Sequence, residues 1–104
     1  MYKAIPLTET FVSGVSLLYL YPNPVKSTRA TLRFKTGDAG TVRIKIYNFA
    51  GHKLKELNFS FNGKVVEEKE INLDGFGPDV YTMVCDFNIG NQKIQKIIRF
   101  AVMR

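Results

Sequence analysis

The 104-residue sequence contains one cysteine, one histidine and no tryptophan. A lone thiol, Cys85, excludes an internal disulfide, so the stability of the fold must come from packing, and both reducing and oxidising compartments stay open. One cysteine and one histidine also fall short of the ligands that a structural zinc site of the Cys/His type needs. These absences exclude a disulfide scaffold and a zinc finger.

Long apolar runs are missing as well. No 18 consecutive apolar residues occur, so the sequence predicts no transmembrane segment. Met1 to Thr10 lacks a basic cluster followed by an apolar stretch and a small-residue cleavage site, and we expect no signal peptide there. No convincing helical period occurs either, which turns attention to strands.

Residues that could carry catalysis are few. His52 lies in a glycine-containing turn, where we expect an exposed side chain, and Cys85 lies within an apolar strand, where we expect a buried and unreactive thiol. Gly75 and Gly77 do not open a helix, as a phosphate-binding loop requires. We therefore expect no enzyme, no catalytic residue and no cofactor.

The net charge of +6 is distributed in blocks. Eight Lys/Arg oppose one acid over residues 26–55, seven acids oppose two lysines over residues 56–86, and the last eighteen residues carry four cations and no acid. Such blocks can steer partners, but solvated strand faces are the favoured explanation for them. Within the acidic block, Glu68 and Glu70 share a strand face that we expect to meet solvent. We expect no metal site, with calcium binding by these carboxylates as the minor alternative, which no Asp-rich calcium loop supports.

Alternation of apolar and polar residues with period two runs through most of the chain. It predicts strands over residues 15–21, 30–35, 41–48, 53–61, 64–73, 80–89 and 93–103. The phase predicts a set of inward-facing side chains: Leu32, Phe34, Val42, Ile44, Ile46, Leu57, Phe59, Phe61, Ile71, Leu73, Tyr81, Met83, Cys85, Phe87, Ile94, Ile98, Phe100 and Val102.

About seven strands separated by turns predict an all-β, antiparallel, immunoglobulin-like β-sandwich, with a small barrel as the competing architecture. We expect the sandwich to span residues 15–104 and residues 1–14 to form a linker or a loosely ordered lead-in. Leu57, Phe59 and Phe61 are in phase and Leu54 is out of phase with them, which a bulge near Lys55 would reconcile. Asn62-Gly63 predicts a hairpin that joins the strands on either side of it.

Four basic residues, Arg33, Lys35, Arg43 and Lys45, are expected to point outward from two neighbouring strands, with Tyr47 beside them. A single-stranded nucleic-acid platform needs a basic groove with stacking aromatic rings. Most phenylalanines have the core phase instead, so we expect no nucleic-acid partner. Phosphate-rich surfaces and anionic glycan surfaces are equally compatible with this charge.

Two prolines one residue apart mark Tyr21-Pro22-Asn23-Pro24. They fix two φ angles, remove two backbone donors and push the preceding residues toward extended geometry. A helix and an uninterrupted central strand are both excluded. An extended segment followed by a turn remains.

Several motifs follow this opening in a fixed order. They are Thr31-Leu32-Arg33-Phe34, the block from Ile44 to Gly51 with its Tyr-Asn-x-x-Gly ending, Asn72-Leu73, Asp79-Val80-Tyr81 in place of Gly-x-Tyr, and a terminal basic and aliphatic strand around Lys96 to Arg99. Over about Leu18 to Phe100 the chain resembles the C-terminal sorting domains of proteins exported by the type IX (Por) secretion system of Bacteroidetes. It is also similar to the immunoglobulin-like domain of flagellar hook-capping proteins.

The resemblance implies a non-catalytic module that targets a longer exported protein for type IX secretion across the outer membrane, through the periplasm to the cell surface or the extracellular space. It implies two partners, the secretion machinery at the outer membrane and the preceding domain of the same polypeptide. The candidate recognition and signature residues are Tyr21, Pro22, Asn23, Pro24, Gly51, Asp79, Tyr81, Lys93, Lys96 and Arg99. A spacer or binding sandwich that contacts a glycan or a neighbouring domain is the alternative function.

Overall fold

The computed structural model describes residues 14–104, which form two antiparallel sheets. The strands are β1 (Val15–Tyr21), β2 (Arg29–Thr36), β3 (Gly40–Tyr47), β4 (Lys53–Phe61), β5 (Val66–Asn72), β6 (Asp79–Ile89) and β7 (Gln92–Val102). One sheet has the order β1-β2-β5 and the other the order β4-β3-β6-β7. The all-β, seven-strand sandwich is confirmed, and the two separate sheets exclude a closed barrel in the described chain.

Binary alternation decides which face of each strand is buried. In β3, Val42, Ile44 and Ile46 are fully buried, whereas Thr41 and Arg43, which have the opposite phase, are exposed. Burying one such aliphatic side chain stabilises the fold by about 1.5–3 kcal/mol. A one-residue slip would turn the apolar set to solvent, so the pattern fixes the register.

The core lies between the two sheets. Phe34 of β2 meets Phe61 of β4 and Phe87 of β6 edge to face, with ring centroids 5.2 and 5.4 Å apart. The predicted inward-facing residues all belong to this core, although Leu57, Phe59, Ile94 and Ile98 are only partly buried. Contacts between rings from both sheets join them into one hydrophobic cluster.

The predicted bulge in β4 is confirmed. Ile46 pairs with Lys55 and Tyr47 pairs with Lys53, so Leu54 is the extra residue opposite β3. Leu54 stays 48% exposed. The bulge therefore lets the strand carry an out-of-phase leucine without placing it in the core.

The predicted hairpin at Asn62-Gly63 is wrong. β4 and β5 belong to different sheets, and β5 pairs with β2. Gly63 and Lys64 have positive φ, and a Cβ on Gly63 would overlap the backbone of Asp38. The Lys64 N–H donates to the Thr36 carbonyl (2.8 Å). This segment therefore packs against the β2–β3 connection and crosses between sheets.

The basic residues predicted on neighbouring strands lie on different sheets. Arg33 and Lys35 are on β2 and Arg43 and Lys45 on β3, because the chain crosses from one sheet to the other between these strands. Three of the four also lie beside carboxylates: Arg33 with Glu68, Arg43 with Glu56 and Lys45 with Asp86. No single basic platform results.

The predicted lead-in over residues 1–14 falls, apart from Gly14, outside the described residues and stays a prediction. Gly14 itself accepts a hydrogen bond from the Gly37 N–H (3.1 Å). Among residues 14–104, no helix is long and apolar enough to cross a membrane.

Candidate recognition site

The turn between β1 and β2 is fastened to the last strand by one side chain. Asn23 lies between two prolines whose preceding peptide bonds are cis, and its side chain reaches β7. Its Nδ2 donates to the Arg99 carbonyl (3.2 Å), and its Oδ1 accepts from the Ala101 N–H (3.1 Å). Prolines supply no backbone donor. The asparagine amide, with donors and an acceptor, supplies both sides of this contact.

The chain after the turn continues along the same edge. Val25 is fully buried, and its N–H donates to the Ala101 carbonyl (2.7 Å). Its own carbonyl accepts from the Met103 N–H (2.9 Å), which makes a parallel bridge with Val102. The outer edge of β7 is therefore closed from Arg99 to Met103.

The start of β6 lies on the other side of the same stretch of β7. Asp79 pairs with Val102, and its Oδ1 accepts the N–H of Val80 (2.7 Å). Tyr81 is only 5% exposed and stacks on Phe100 with ring centroids 5.6 Å apart.

The Tyr81 hydroxyl donates to the Gly77 carbonyl (2.7 Å) four residues upstream. A tyrosine near the start of a strand that binds backbone just before it is the tyrosine corner of immunoglobulin-like sandwiches. Tyr81 thus fills the core and anchors the loop before β6. Its ring and hydroxyl are both engaged within the domain.

The turn between β3 and β4 contains the exposed aromatic residue that the sequence patterns did not single out. Gly51 has φ +90°, a conformation that suits glycine, and its N–H donates to the Asn48 carbonyl (3.0 Å). Phe49, at the tip of this turn, is 86% exposed. With Val80, Thr82 and Arg99 it lines a cleft of about 220 Å³. An aromatic residue in a turn, outside every strand phase, was the signal that could have identified it.

The three basic candidates on β7 are all exposed. Lys93, Lys96 and Arg99 form no ion pair with any carboxylate of the described chain, and β7 carries no acid of its own. Lys93 and Arg99 face the same way, whereas Lys96 has the inward phase of Ile94 and Ile98. At about 3.3 Å per residue, Lys93 and Arg99 lie roughly 20 Å apart.

The predicted candidates therefore fall into two groups. The Tyr21–Pro24 turn, Asp79, Tyr81 and Arg99 meet at one end of the sandwich, and the turn that contains Gly51 reaches the same end through Phe49. Lys93 and Lys96 continue along β7 toward the opposite end.

A family model described as the secretion system C-terminal sorting domain matches residues 19–99. The chain belongs to this family. The sorting domain is a C-terminal signal for type IX secretion, which implies export to the cell surface or the extracellular space. No curated protein matches the chain.

Among solved structures, the sorting domain is similar to part of the crystal structure of Parabacteroides merdae beta-glucuronidase. The match has a TM-score of 0.58 at 14% identity and covers 86% of this chain and 13% of that chain. At this identity the likeness is one of fold. The sorting domain spans a small part of that much longer protein.

A second concave region of the sorting domain, about 340 Å³, lies at the far end of β6 and β7. Its lining residues are Asp86, Phe87, Asn88, Lys93, Ile94 and Gln95. The Gln95 amide donates to Asp86 (2.9 Å), and Lys45 lies 3.0 Å from the same carboxylate. The hydrogen bond from Gln95, together with Lys45, lowers the pKa of Asp86. The carboxylate is thus held ionised by neighbours.

The other titratable candidates take structural positions. Cys85 is fully buried, and burial raises the pKa of its thiol to about 12, so the reactive thiolate is scarce at neutral pH. His52 is exposed in its turn, as expected. Glu68 and Glu70 are exposed and pair with Arg33 and Arg29. Across residues 14–104, no three metal-binding side chains converge.

Proposed function

We propose that this sorting domain is the non-catalytic C-terminal module of a longer exported protein, and that the secretion machinery at the outer membrane reads it in folded form. The family match over residues 19–99 carries the proposal. The convergence of the signature segments on one end of β7 supports it, because that convergence exists only in the folded chain.

We infer two roles among the signature residues. The side chains of Asn23 and Tyr81 form hydrogen bonds with backbone groups of the domain itself, so these two residues act as positioning residues. Arg99, Lys93 and Lys96 are exposed and form no ion pair within residues 14–104, so a partner could contact their charges. Recognition is thereby assigned to β7, and the motif around Asn23 holds β7 in place.

The non-catalytic part of the proposal rests on the same structure. The single thiol is buried and the single histidine lies exposed in a turn without a neighbouring carboxylate within ion-pair distance among the described residues. Nucleic acid is an unfavourable partner because the cations of β2 and β3 lie on separate sheets and largely face acids. We propose the preceding domain of the same polypeptide as the second partner.

A reporter export assay tests the proposal. Residues 15–104 are fused to the C-terminus of a periplasmic reporter in a host with a working type IX system, and surface and periplasmic fractions are compared. We expect the reporter at the surface or in the medium. Arg99→Glu should reduce export. Lys35→Glu should not, because Lys35 is an exposed lysine on the other sheet that forms no ion pair within residues 14–104. A folded fusion that stays in the periplasm contradicts the proposal.

The cleft beside Phe49 favours a second candidate function, an accessory sandwich that binds a glycan or a neighbouring domain. The exposed Phe49 ring and Arg99 line the same cleft, which therefore offers a stacking surface and a charged donor. Saturable binding on a glycan array that Phe49→Ala abolishes would support this function. Unchanged glycan binding by Phe49→Ala would show that the cleft beside Phe49 is not the binding site.

A further inference from the structure

Within residues 14–104, the outer edge of β7 is occupied at one end only. Asn23 binds the Arg99 carbonyl and the Ala101 N–H, and Val25 binds the Ala101 carbonyl, so these backbone groups point away from β6. Backbone groups of a strand alternate sides with period two. The N–H and C=O groups of Lys93, Gln95 and Ile97 therefore point to the same outer edge. No described residue forms a backbone hydrogen bond with them there.

The other three sheet edges are less regular. β1 shifts register between Val15 and Leu17, and β4 carries its bulge at Leu54. β5 has seven residues and mixes glutamates with a lysine. β7 instead pairs with β6 over eleven consecutive residues without a shift. A long, regular, unpaired edge is a template for another extended chain.

The charge of this edge selects its occupant. Lys93, Lys96 and Arg99 are exposed and form no ion pair within residues 14–104. Lys96 has the same strand phase as the partly buried Ile94 and Ile98, so the cations occur on both faces of β7. Ile97, 59% exposed, adds an apolar contact on the outer face. A second copy joined edge to edge would bring three cations against three cations, and like charges on adjacent strands are destabilising. An acidic strand meets the same row favourably.

We propose that the edge of β7 from Lys93 to Ile97 binds one extended, acidic segment of the partner as a fifth strand of the β4-β3-β6-β7 sheet. Backbone hydrogen bonds supply affinity in this mode, and flanking side chains supply specificity. Asn23 and Val25 block pairing beyond Arg99, which fixes where the added strand ends. The proposal rests on the proposed function in that the segment belongs to the secretion machinery.

One backbone variant and one charge variant test the edge. Ile97→Pro removes an outward N–H and leaves the bonds to β6, because proline is tolerated where an edge N–H faces solvent. The pair K93E/K96E reverses the charge and keeps the backbone intact. Its matched control is K26E/K35E, which makes the same charge change at exposed lysines that form no ion pair within residues 14–104 and lie outside the stretch from Lys93 to Ile97. Urea midpoints close to wild type establish that each variant is folded.

In the export assay, we expect I97P and K93E/K96E to leave the reporter in the periplasm, and K26E/K35E to behave as wild type. Export of both edge variants overturns the edge proposal and leaves the sorting function standing. A failure of the wild-type fusion instead counts against the proposed function, and a direct measurement then decides the edge separately. If I97P does not fold, the charge pair alone carries the test.

The direct measurement titrates the isolated sorting domain with an acetylated, amidated peptide of alternating Glu and Val or Thr, followed by backbone amide NMR. We expect shifts and exchange protection at Lys93, Gln95 and Ile97, and about tenfold weaker binding by I97P, the cost of roughly one hydrogen bond. No shift at these amides up to about 1 mM peptide, the weak limit for specific binding, overturns the proposal. Concentration-dependent dimers that I97P abolishes would identify a second copy as the occupant and overturn it as well.

Discussion

Replacing Asn23 with alanine should destabilise the domain because it detaches the β1–β2 turn from β7. Two hydrogen bonds are lost, Nδ2 to the Arg99 carbonyl and the Ala101 N–H to Oδ1. Each contributes about 0.5–1.5 kcal/mol net, and both lie at an exposed edge, so we expect a loss of about 1–2 kcal/mol. With a urea slope of about 1.5 kcal/mol/M, the unfolding midpoint should fall by roughly 1 M.

Two further variants make the measurement specific to the amide. Asn23→Asp keeps the acceptor for the Ala101 N–H but, when ionised, places a negative oxygen near the Arg99 carbonyl, so it too should be less stable than wild type at neutral pH. Asn88→Ala removes an exposed asparagine of β6 whose side chain forms no hydrogen bond with the described residues, and its midpoint should stay near wild type. If Asn23→Ala and Asn88→Ala unfold at the same urea concentration, the fastening role of Asn23 is refuted.

Three further outcomes are expected. Tyr81→Phe should cost about 1–2 kcal/mol in urea unfolding, since it leaves the Gly77 carbonyl without its donor while keeping the stacked ring; an unchanged midpoint would contradict the tyrosine corner. Cys85 should resist a thiol reagent at pH 8 in the native domain and react fully in urea, because burial raises the pKa of its thiol to about 12; fast native labelling would show an accessible thiol. The hydrogen bond from Gln95 lowers the pKa of Asp86 in the folded domain. The ionised carboxylate therefore stabilises the fold above the pKa that Asp86 has in the unfolded chain, and this stabilisation is lost as the pH falls through the lower pKa of the folded state. Asp86→Asn should therefore flatten the decline in stability below about pH 4, and an identical acid profile would argue against it.

The strands and the core residues could be predicted from the sequence because they depend on the alternation of apolar and polar residues that are neighbours in the chain. Leu32 and Phe34, or Val42 and Ile44, alternate with polar neighbours, and burial of these side chains outweighs the small energetic preferences of the backbone. The bulge beside Lys55 was also predictable, since Leu54 broke the phase of its strand.

Sheet membership could not be read from local signals. Asn62-Gly63 has the composition of a tight hairpin, yet positive φ falls on Gly63 and Lys64, and β5 joins β2. Pairing Ile71 of β5 with Ala30 of β2 depends on residues more than forty positions apart. For the same reason, the sequence predicted Arg33 and Arg43 on neighbouring strands, whereas the structure has them on separate sheets.

The candidate site divides in the same way. The sequence indicated that Tyr21–Pro24 forms a turn, and motif order linked it to the final strand, but no pattern states that the Asn23 amide binds β7. Gly51 was singled out by its motif, while the exposed neighbour Phe49 has no strand phase to mark it. Contacts between segments nearly eighty residues apart are decided by the folded topology alone.

Strand addition at the edge of β7, as proposed, would require a folded domain. Unfolded, the segment around Lys93 and Lys96 is a short basic peptide without an ordered backbone edge. Folded against β6, its outward N–H and C=O groups recur about every 7 Å in one plane, between cations whose directions are fixed. Binding of a partner strand costs little conformational entropy on the side of β7, because the sheet already orders the backbone of this edge. Asn23 contributes by ending the free stretch at Arg99, so the edge has a defined length as well as a defined charge.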